Sequence, residues 1–246
     1  MSNVWKTATL GAAAGAFVAI AFIFSAAKLG LFPSPTDKQF ERYLMAHPSI
    51  VLDMAEKAQT EAAGAEQRGL QAAVQKVGLA TYFNPRIAFV AGPANAKKTF
   101  VEFFDYNCVH CRNSFPLVQK YYQTHRDDTR FAFIELPVFG EQSNNAARAA
   151  LAARKQPDKY IAFHFAMMSQ SGAIDPTSMV EAANKAGLDV NQLTADLKDP
   201  ALNKQLNDAH TLAARTGVTG TPFFILNGTA HEGEVTEADL KALSKG

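Results

Sequence analysis

The most informative segment of this chain reads Thr99-Phe100-Val101-Glu102-Phe103-Phe104-Asp105-Tyr106-Asn107-Cys108-Val109-His110-Cys111. A largely apolar run typical of a buried strand ends at Phe104, and a helical pattern begins at the cysteines. These two cysteines are the only ones among the 246 residues. A disulfide between them closes a very short loop and adds little stability, because the stabilisation from a cross-link grows with loop length. The pair is better suited to thiol–disulfide exchange than to stapling the chain.

The position of each cysteine predicts its part in such an exchange. Cys108 lies where strand gives way to helix, so its sulfur is close to unpaired backbone N–H groups and to the positive end of the helix dipole. We therefore predict that Cys108 is the nucleophile and that Cys111, one turn later and deeper, resolves the mixed disulfide. His110 can add a positive charge or a hydrogen bond that lowers the pKa of Cys108.

Composition narrows the class of protein. The net charge is +1 and no basic stripe interleaves with aromatic residues, so we expect no nucleic-acid partner. Two cysteines do not make a four-ligand zinc site and the histidines are single and scattered, so we predict no metal site. A Cu(I) site formed by the two thiolates stays an alternative, because soft sulfur ligands suit Cu(I).

The N-terminus contains a long apolar segment. Residues Thr7 to Ala27 carry no charge and are long enough to cross a bilayer as a helix of about 20 residues. We predict an uncleaved membrane anchor, with a cleaved signal peptide as the alternative because Ser25-Ala26-Ala27 resembles a cleavage site. Either interpretation predicts that the rest of the chain is exported.

Periodicity and turn residues predict the order of elements behind that segment. Predicted helices cover Asp37 to Ala46, Ser49 to Gly78, Cys108 to Gln123, several pieces between 141 and 216, and Glu237 to Leu243. Predicted strands cover Ile87 to Val90, Thr99 to Phe104, Arg130 to Leu136 and Pro222 to Leu226. We therefore expect a membrane segment at residues 1–31, a helical stalk or oligomerisation segment at 32–83, and a globular domain at 84–246.

A second motif follows the helical block. Gly220-Thr221-Pro222 precedes the apolar run Phe223-Phe224-Ile225. A proline that opens an apolar strand is tolerated at a sheet edge, but after Gly-Thr it also suits a turn with a cis peptide bond.

The two motifs and the helical block between them resemble DsbA-type members of the thioredoxin superfamily over about residues 84–246. The resemblance implies an α/β thioredoxin-like fold with a helical domain inserted at about 141–216, and a thiol–disulfide oxidoreductase that needs no cofactor beyond its cysteine pair. It implies that Thr221 and a cis Pro222 lie beside the cysteines and contact substrate together with Val109. It also implies that Glu102 is buried and assists proton transfer at Cys111; a solvated strand residue is the alternative.

The segment before the globular domain is similar to that of ScsC-like bacterial proteins, some of which use it to form an oligomer. This likeness implies a homo-oligomer through residues 36–80 that acts on misoxidised proteins. Export of the chain places it in the bacterial periplasm and makes unfolded or misoxidised exported proteins its expected substrates. The exchange cycle also requires a membrane or periplasmic redox partner that resets the cysteine pair. Val109 replaces the proline of the family's strongest oxidases, and Thr221 replaces their valine. An oxidase and an isomerase therefore both stay open, and an anchored chaperone is a further alternative.

Overall fold

The structure is a computed structural model that describes residues 37–245. The described residues fall into two units, one that ends at Ala62 and one that begins at Ala63. Among residues 37–245, none of the helices has both the length and the apolar character needed to cross a membrane. The predicted membrane segment at residues 7–27 lies outside the described residues.

The described part of the first unit is helical. Helix α1 (Asp37–Ala46) has the predicted bounds and buries none of its residues, and helix α2 (Pro48–Val77) begins one residue earlier than predicted. The boundary between the two units falls within α2. Large apolar side chains of this unit are exposed: Phe40, Tyr43, Met45, Val51, Leu52 and Met54.

The second unit begins at Ala63, earlier than the expected start at residue 84. Leu70 and Val74 of α2 are buried, as are Tyr82 and Phe83 of the 3₁₀ turn Leu79–Phe83. These four side chains belong to one core cluster with alternate residues of the central sheet. Residues 63–83 are thus part of the packed unit because they supply one wall of its core.

Five strands form one sheet in the order β1-β3-β2-β4-β5. Their bounds are Phe89–Ala91, Lys98–Phe104, Thr129–Glu135, Phe223–Leu226 and Thr229–Glu232 for β1 to β5. Strands β2 and β3 are parallel, and the other neighbouring pairs are antiparallel. The central strand β2 is almost wholly buried, which explains its apolar character.

Strand β5 is absent from the sequence-based prediction. Its residues Thr-Ala-His-Glu form no apolar run, but Asn227-Gly228 precedes them with both residues at positive φ, 48° and 79°. A two-residue Asn-Gly loop of this kind is a strong hairpin indicator. Two glutamines of α2 bond to the outer side of this hairpin. Gln67 donates to the Ala230 carbonyl. Gln71 donates to the Gly228 carbonyl and accepts from the Ala230 N–H.

The remaining helices are α3 (Val109–His125), α4 (Glu141–Ala153), α5 (Pro157–Met168), α6 (Pro176–Ala186), α7 (Val190–Asp196), α8 (Ala201–Thr216) and α9 (Glu237–Lys245). Helix α3 connects β2 to β3, and α4 to α8 form the predicted helical insertion between β3 and β4. Phe100 and Phe104 face the core cluster that contains α3, α4 and α5, whereas Val101 and Phe103 face the cluster that contains α8. Because side chains alternate along a strand, Glu102 points to the same face as Phe100 and Phe104.

Candidate active site

Cys108 caps the N-terminus of α3. It has extended backbone angles (φ −79°, ψ 119°) and its N–H donates to the Asp105 carbonyl at 3.1 Å. The helix therefore starts at Val109, with its first unpaired N–H groups beside the Cys108 sulfur. Both cysteines are free thiols and both are buried; Cys108 is 1% exposed and Cys111 is 0% exposed.

The surroundings of Cys108 favour its thiolate. The Cys111 thiol and the backbone N–H groups of residues 110 and 111 hydrogen-bond to its sulfur, and they outweigh burial to lower the pKa of Cys108 to about 5. In the thiol form, the Cys108 Sγ donates to the Thr221 carbonyl oxygen at 3.1 Å. The second motif therefore lies against the first, as the family resemblance implied.

Cys111 behaves in the opposite way. Burial raises the pKa of the Cys111 thiol, and its hydrogen bond to Cys108 and the nearby Glu102 charge raise it further. The two sulfurs are thus a stabilised thiolate at the helix start and a protonated thiol behind it. This asymmetry is the one required of a nucleophile and a resolving cysteine.

Glu102 lies beneath the cysteine pair in β2. It is 2% exposed, and burial raises its pKa to about 8. Its Oε2 atom is buried without a hydrogen-bond partner in the part of the chain that the structure describes. Glu102 is therefore a buried acid, protonated near neutral pH, and the alternative of a solvated strand residue is wrong.

Asp105 organises the loop between β2 and α3, a role that the sequence analysis did not assign. Its Oδ1 accepts from Asn107 N at 2.8 Å and from the Ser143 hydroxyl at 2.8 Å. Its Oδ2 accepts from Val138 N at 2.7 Å and Phe139 N at 3.3 Å. One buried carboxylate therefore holds the cysteine loop, the segment after β3 and the start of α4 together. The bond from the Asn107 N–H to the Asp105 side chain forms an Asx turn. An Asp directly after a strand is a frequent start of such a turn, and it is the sequence feature that indicates this role for Asp105.

The predicted substrate contacts differ in accessibility. Val109 is 61% exposed, Thr221 is partly buried and Pro222 is buried. The Thr221–Pro222 peptide bond is cis, as predicted. Val138 and Phe139 also expose apolar side chains, held by the same Asp105 carboxylate that holds the cysteine loop. The sequence analysis missed these two residues, although an apolar pair after the strand-ending Leu136-Pro137 would have pointed to them.

His110 lies at the surface. Its side chain is 63% exposed, and its Nδ1 is 2.7 Å from the Glu234 Oε1. That hydrogen bond raises the pKa of His110. The sequence analysis did not identify Glu234, because this residue follows the unpredicted strand β5.

Within residues 37–245, no three His, Cys, Asp or Glu side chains are grouped so that they could hold a metal ion.

Solved structures with this fold include thiol–disulfide proteins. A thioredoxin-like oxidoreductase from Silicibacter pomeroyi DSS-3 is 37% identical, with a TM-score of 0.60 over 67% of this chain and 93% of that one. A linker-deletion and N6K mutant of Proteus mirabilis ScsC is 25% identical, with a TM-score of 0.65 over 87% of this chain and 97% of that one. A periplasmic thioredoxin-like protein from Salmonella enterica serovar Typhimurium is 31% identical, with a TM-score of 0.60 over 67% of this chain and 91% of that one.

The curated relatives that match are longer proteins. The Na(+)/H(+) antiporter NhaA of Herminiimonas arsenicoxydans is 28% identical over 167 residues, which are 66% of this chain and 27% of the antiporter. The chain thus spans about a quarter of the length of such relatives. Residues 99–243 match the family described as a DSBA-like thioredoxin domain. They include β2, the Cys108–Cys111 motif, the helical insertion and the cis Pro222, and the chain therefore belongs to the DSBA-like thioredoxin domain family.

Proposed function

We propose that this chain is a protein thiol–disulfide oxidoreductase that acts through the redox-active pair Cys108–Cys111. The observation that supports the proposal most directly is the opposed state of the two sulfurs. Cys108 accepts hydrogen bonds at the start of α3, whereas Cys111 is buried and protonated. A reactive thiolate in front of a protonated thiol is the arrangement that makes and resolves mixed disulfides.

The proposed cycle begins with the oxidised pair and a substrate that carries two thiols. A substrate thiolate attacks the Cys108 sulfur, the Cys108–Cys111 bond breaks, and Cys111 leaves with an electron pair and takes up a proton. The second substrate thiolate then attacks the substrate sulfur of the mixed disulfide and releases Cys108 as a thiolate. Two electrons have moved from the substrate dithiol to the pair, and the substrate holds a disulfide. The same steps in reverse, starting from reduced Cys108, open a wrong disulfide.

The proposed role of Glu102 is to exchange the proton at Cys111. The acid lies on the face of β2 that packs against α3, and in its ionised form it raises the pKa of Cys111. With its own pKa raised to about 8, it holds a proton at neutral pH and can give it to the departing Cys111 thiolate. No cofactor is required in this scheme.

The state of Cys108 supports an oxidising pair. A thiolate stabilised only in the reduced protein stabilises the reduced state, and a stabilised reduced state makes the disulfide a stronger oxidant. We therefore favour an oxidase or isomerase over a thioredoxin-like reductase. The decisive measurement is the reduction potential of the pair against glutathione. We expect a value between about −120 and −190 mV, and a value near −270 mV would contradict this direction.

Cysteine variants test the mechanism itself. Cys108→Ser is expected to abolish exchange on a scrambled or reduced model substrate. Cys111→Ser is expected to accumulate mixed disulfides that a reductant releases. Gln123→Asn serves as a control, since it changes an exposed position near the other end of α3. Equal exchange by the wild type and Cys108→Ser would overturn the proposal.

We further propose that the substrates are unfolded or misoxidised exported proteins and that the chain works in the bacterial periplasm. The exposed Val109, Val138 and Phe139 offer an apolar surface for an unfolded segment, and the matched Salmonella protein is periplasmic. A redox partner in the membrane or periplasm must then restore the pair. Fractionation of cells that express the full chain, with and without residues 7–27, tests both the location and the proposed anchor.

Self-association through residues 36–80 is a separate proposal. It is supported by the exposed Phe40, Tyr43 and Leu52 of the first unit, since clustered exposed apolar side chains often mark an interaction surface. Light scattering should give a multiple of the chain mass for the wild type and a lower mass for Phe40→Asp with Leu52→Asp. Gln59→Asp is the matched control. A monomeric wild type would refute the proposal.

A further inference from the structure

The segment Gly233-Glu234-Val235 joins the two halves of the active site. The Gly233 N–H donates to the Pro222 carbonyl at 3.0 Å, and the Val235 N–H donates to the Ser114 hydroxyl of α3 at 3.3 Å. The His231 Nε2 donates to the Glu234 carbonyl at 3.0 Å. Gly233 has φ +85°, a conformation that side chains other than glycine's rarely allow. The segment is therefore held on both sides.

This fixed backbone presents the Glu234 carboxylate to the first turn of α3. Its Oε1 accepts from the His110 Nδ1 at 2.7 Å and from the Asn113 Nδ2 at 2.9 Å. Residues three apart on a helix lie on the same side, so one oxygen can engage both. Asn113 carries no charge to compete for the carboxylate, and its bond fixes the oxygen at the imidazole.

We propose that Glu234 is a positioning residue of the redox centre: it holds the His110 imidazole and its positive charge beside Cys108 and so favours the reduced pair. This inference rests on the proposed thiol–disulfide function and deepens it. Glu234 does not touch substrate or sulfur; it acts through His110.

Two opposing charge effects on the Cys108 thiolate decide whether removal of the Glu234 carboxylate raises or lowers the reduction potential. The Glu234 carboxylate repels a thiolate, whereas the His110 imidazolium attracts it. The Cys108 charge acts on His110, while Glu234 is affected by His110 and Asn113. His110 is two residues from Cys108 in the first turn of α3, whereas the Glu234 Oε1 bonds to the His110 and Asn113 side chains. We therefore expect the attraction through His110 to be the larger effect, so that removal of the carboxylate makes the Cys108–Cys111 disulfide less oxidising.

The expected change in reduction potential is modest because the His110–Glu234 ion pair is open to water. The His110 and Glu234 side chains are 63% and 42% exposed, and exposed ion pairs are weak. We expect Glu234→Gln to change the equilibrium constant against glutathione by about two- to fivefold. For a two-electron couple this is a fall in potential of about 9 to 21 mV.

A double-mutant cycle on the full chain tests the inference. The reduction potential is measured for the wild type, Glu234→Gln, His110→Asn and the double variant. Gln keeps an acceptor for Asn113, so the segment should stay in place. Glu232→Gln is the matched control, since it removes the same charge from a neighbouring exposed position.

The expected pattern is a fall in potential for Glu234→Gln that disappears when His110 is already Asn, with Glu232→Gln unchanged. An unaltered potential in Glu234→Gln would overturn the inference, as would an equal fall in the His110→Asn background. A wild type without measurable exchange would refute the proposed function itself, independently of how the Glu234 variants compare.

Discussion

Glu102 and Glu135 are buried carboxyl side chains on the neighbouring parallel strands β2 and β3. The surroundings of the two differ in the partners that they offer the carboxyl group. Phe104 is the register partner of Glu135 and Phe133 is the partner of Glu102, so the two acids are close together on the sheet. Glu135 accepts from the Tyr160 hydroxyl at 2.7 Å and is paired with the Arg154 guanidinium. Glu102 has an oxygen without a partner among the described residues.

The difference separates a structural charge from one available for chemistry. Arg154 also donates to the Ile87 carbonyl at 2.9 Å and the Phe133 carbonyl at 3.1 Å, so the Glu135 region ties the insertion to the sheet. A paired and fully bonded carboxylate has little reason to exchange protons. An unpaired buried acid costs stability but keeps a proton available near neutral pH.

The largest expected effect comes from breaking the paired region. Arg154→Met leaves Glu135 buried without its cation, and removing one partner of a buried pair costs about 3–5 kcal/mol. Urea unfolding at pH 7 measures this loss. The double variant Arg154→Met with Glu135→Gln should recover most of it, because no charge is left uncompensated. A loss below about 1 kcal/mol, as for exposed pairs, would show that the two regions do not differ in this way.

At Glu102, in contrast, we expect that removing the charge increases the stability of the fold. Glu102 titrates near its ordinary pKa of 4.5 when unfolded and at about 8 when folded. Between these values the folded state binds more protons, so stability falls as pH rises, by about 1.4 kcal/mol per pH unit. Glu102→Gln should remove this slope and be more stable than Glu102 at pH 8.

This comparison needs a background in which Cys108 and Cys111 are both Ser, because Cys108 titrates in the opposite sense. Unfolding free energies measured from pH 5 to 8 give the pH dependence of stability with Glu102 and with Glu102→Gln in this background. Parallel curves would mean that Glu102 is not a buried acid in solution.

Cys108 provides the third test, because it is the one group of the Glu102 region whose charged form is stabilised. Its pKa is lowered to about 5, so the stabilisation of the reduced protein is present above the unfolded pKa and is lost as pH falls through about 5. In a Glu102→Gln background, which removes the opposing slope, we expect the reduced protein to gain about 2 kcal/mol at pH 7 relative to its value at pH 5. Alkylation rates of Cys108 should show a midpoint near pH 5. A midpoint near 8.5 would remove the contrast with Cys111.

The smallest effect is expected at the junction of the two regions. Ser143→Ala removes one of the hydrogen bonds to the buried Asp105, which keeps its bonds to three backbone N–H groups. We expect a loss of about 0.5–1.5 kcal/mol in chemical denaturation, with an unchanged reduction potential. A larger loss, or a changed potential, would show that Ser143 itself supports the cysteine loop.

Local patterns were enough to predict much of this molecule. The strand before Cys108, the helix after it and the helical insertion follow from apolar periodicity and from Gly and Pro breaks. Burial of Glu102 was implied by family resemblance, whereas its pattern alone suits a solvated residue equally well. Glu234 could not be predicted, because its bond to His110 joins residues 124 apart and depends on β5. The Asn227-Gly228 turn indicates the hairpin of β4 and β5, but not which residue after it bonds to His110.

The amide side chains of Gln67 and Gln71 have a consequence for the function that we propose. The free edge of a sheet is a template on which an extended segment of another chain can add itself as a further strand. Here the two glutamines occupy backbone donors and acceptors of Gly228 and Ala230 on the outer strand. For the unfolded substrates that we propose, addition of a strand is thereby blocked at Gly228 and Ala230, and contact at the cysteines, which is reversible, is favoured instead.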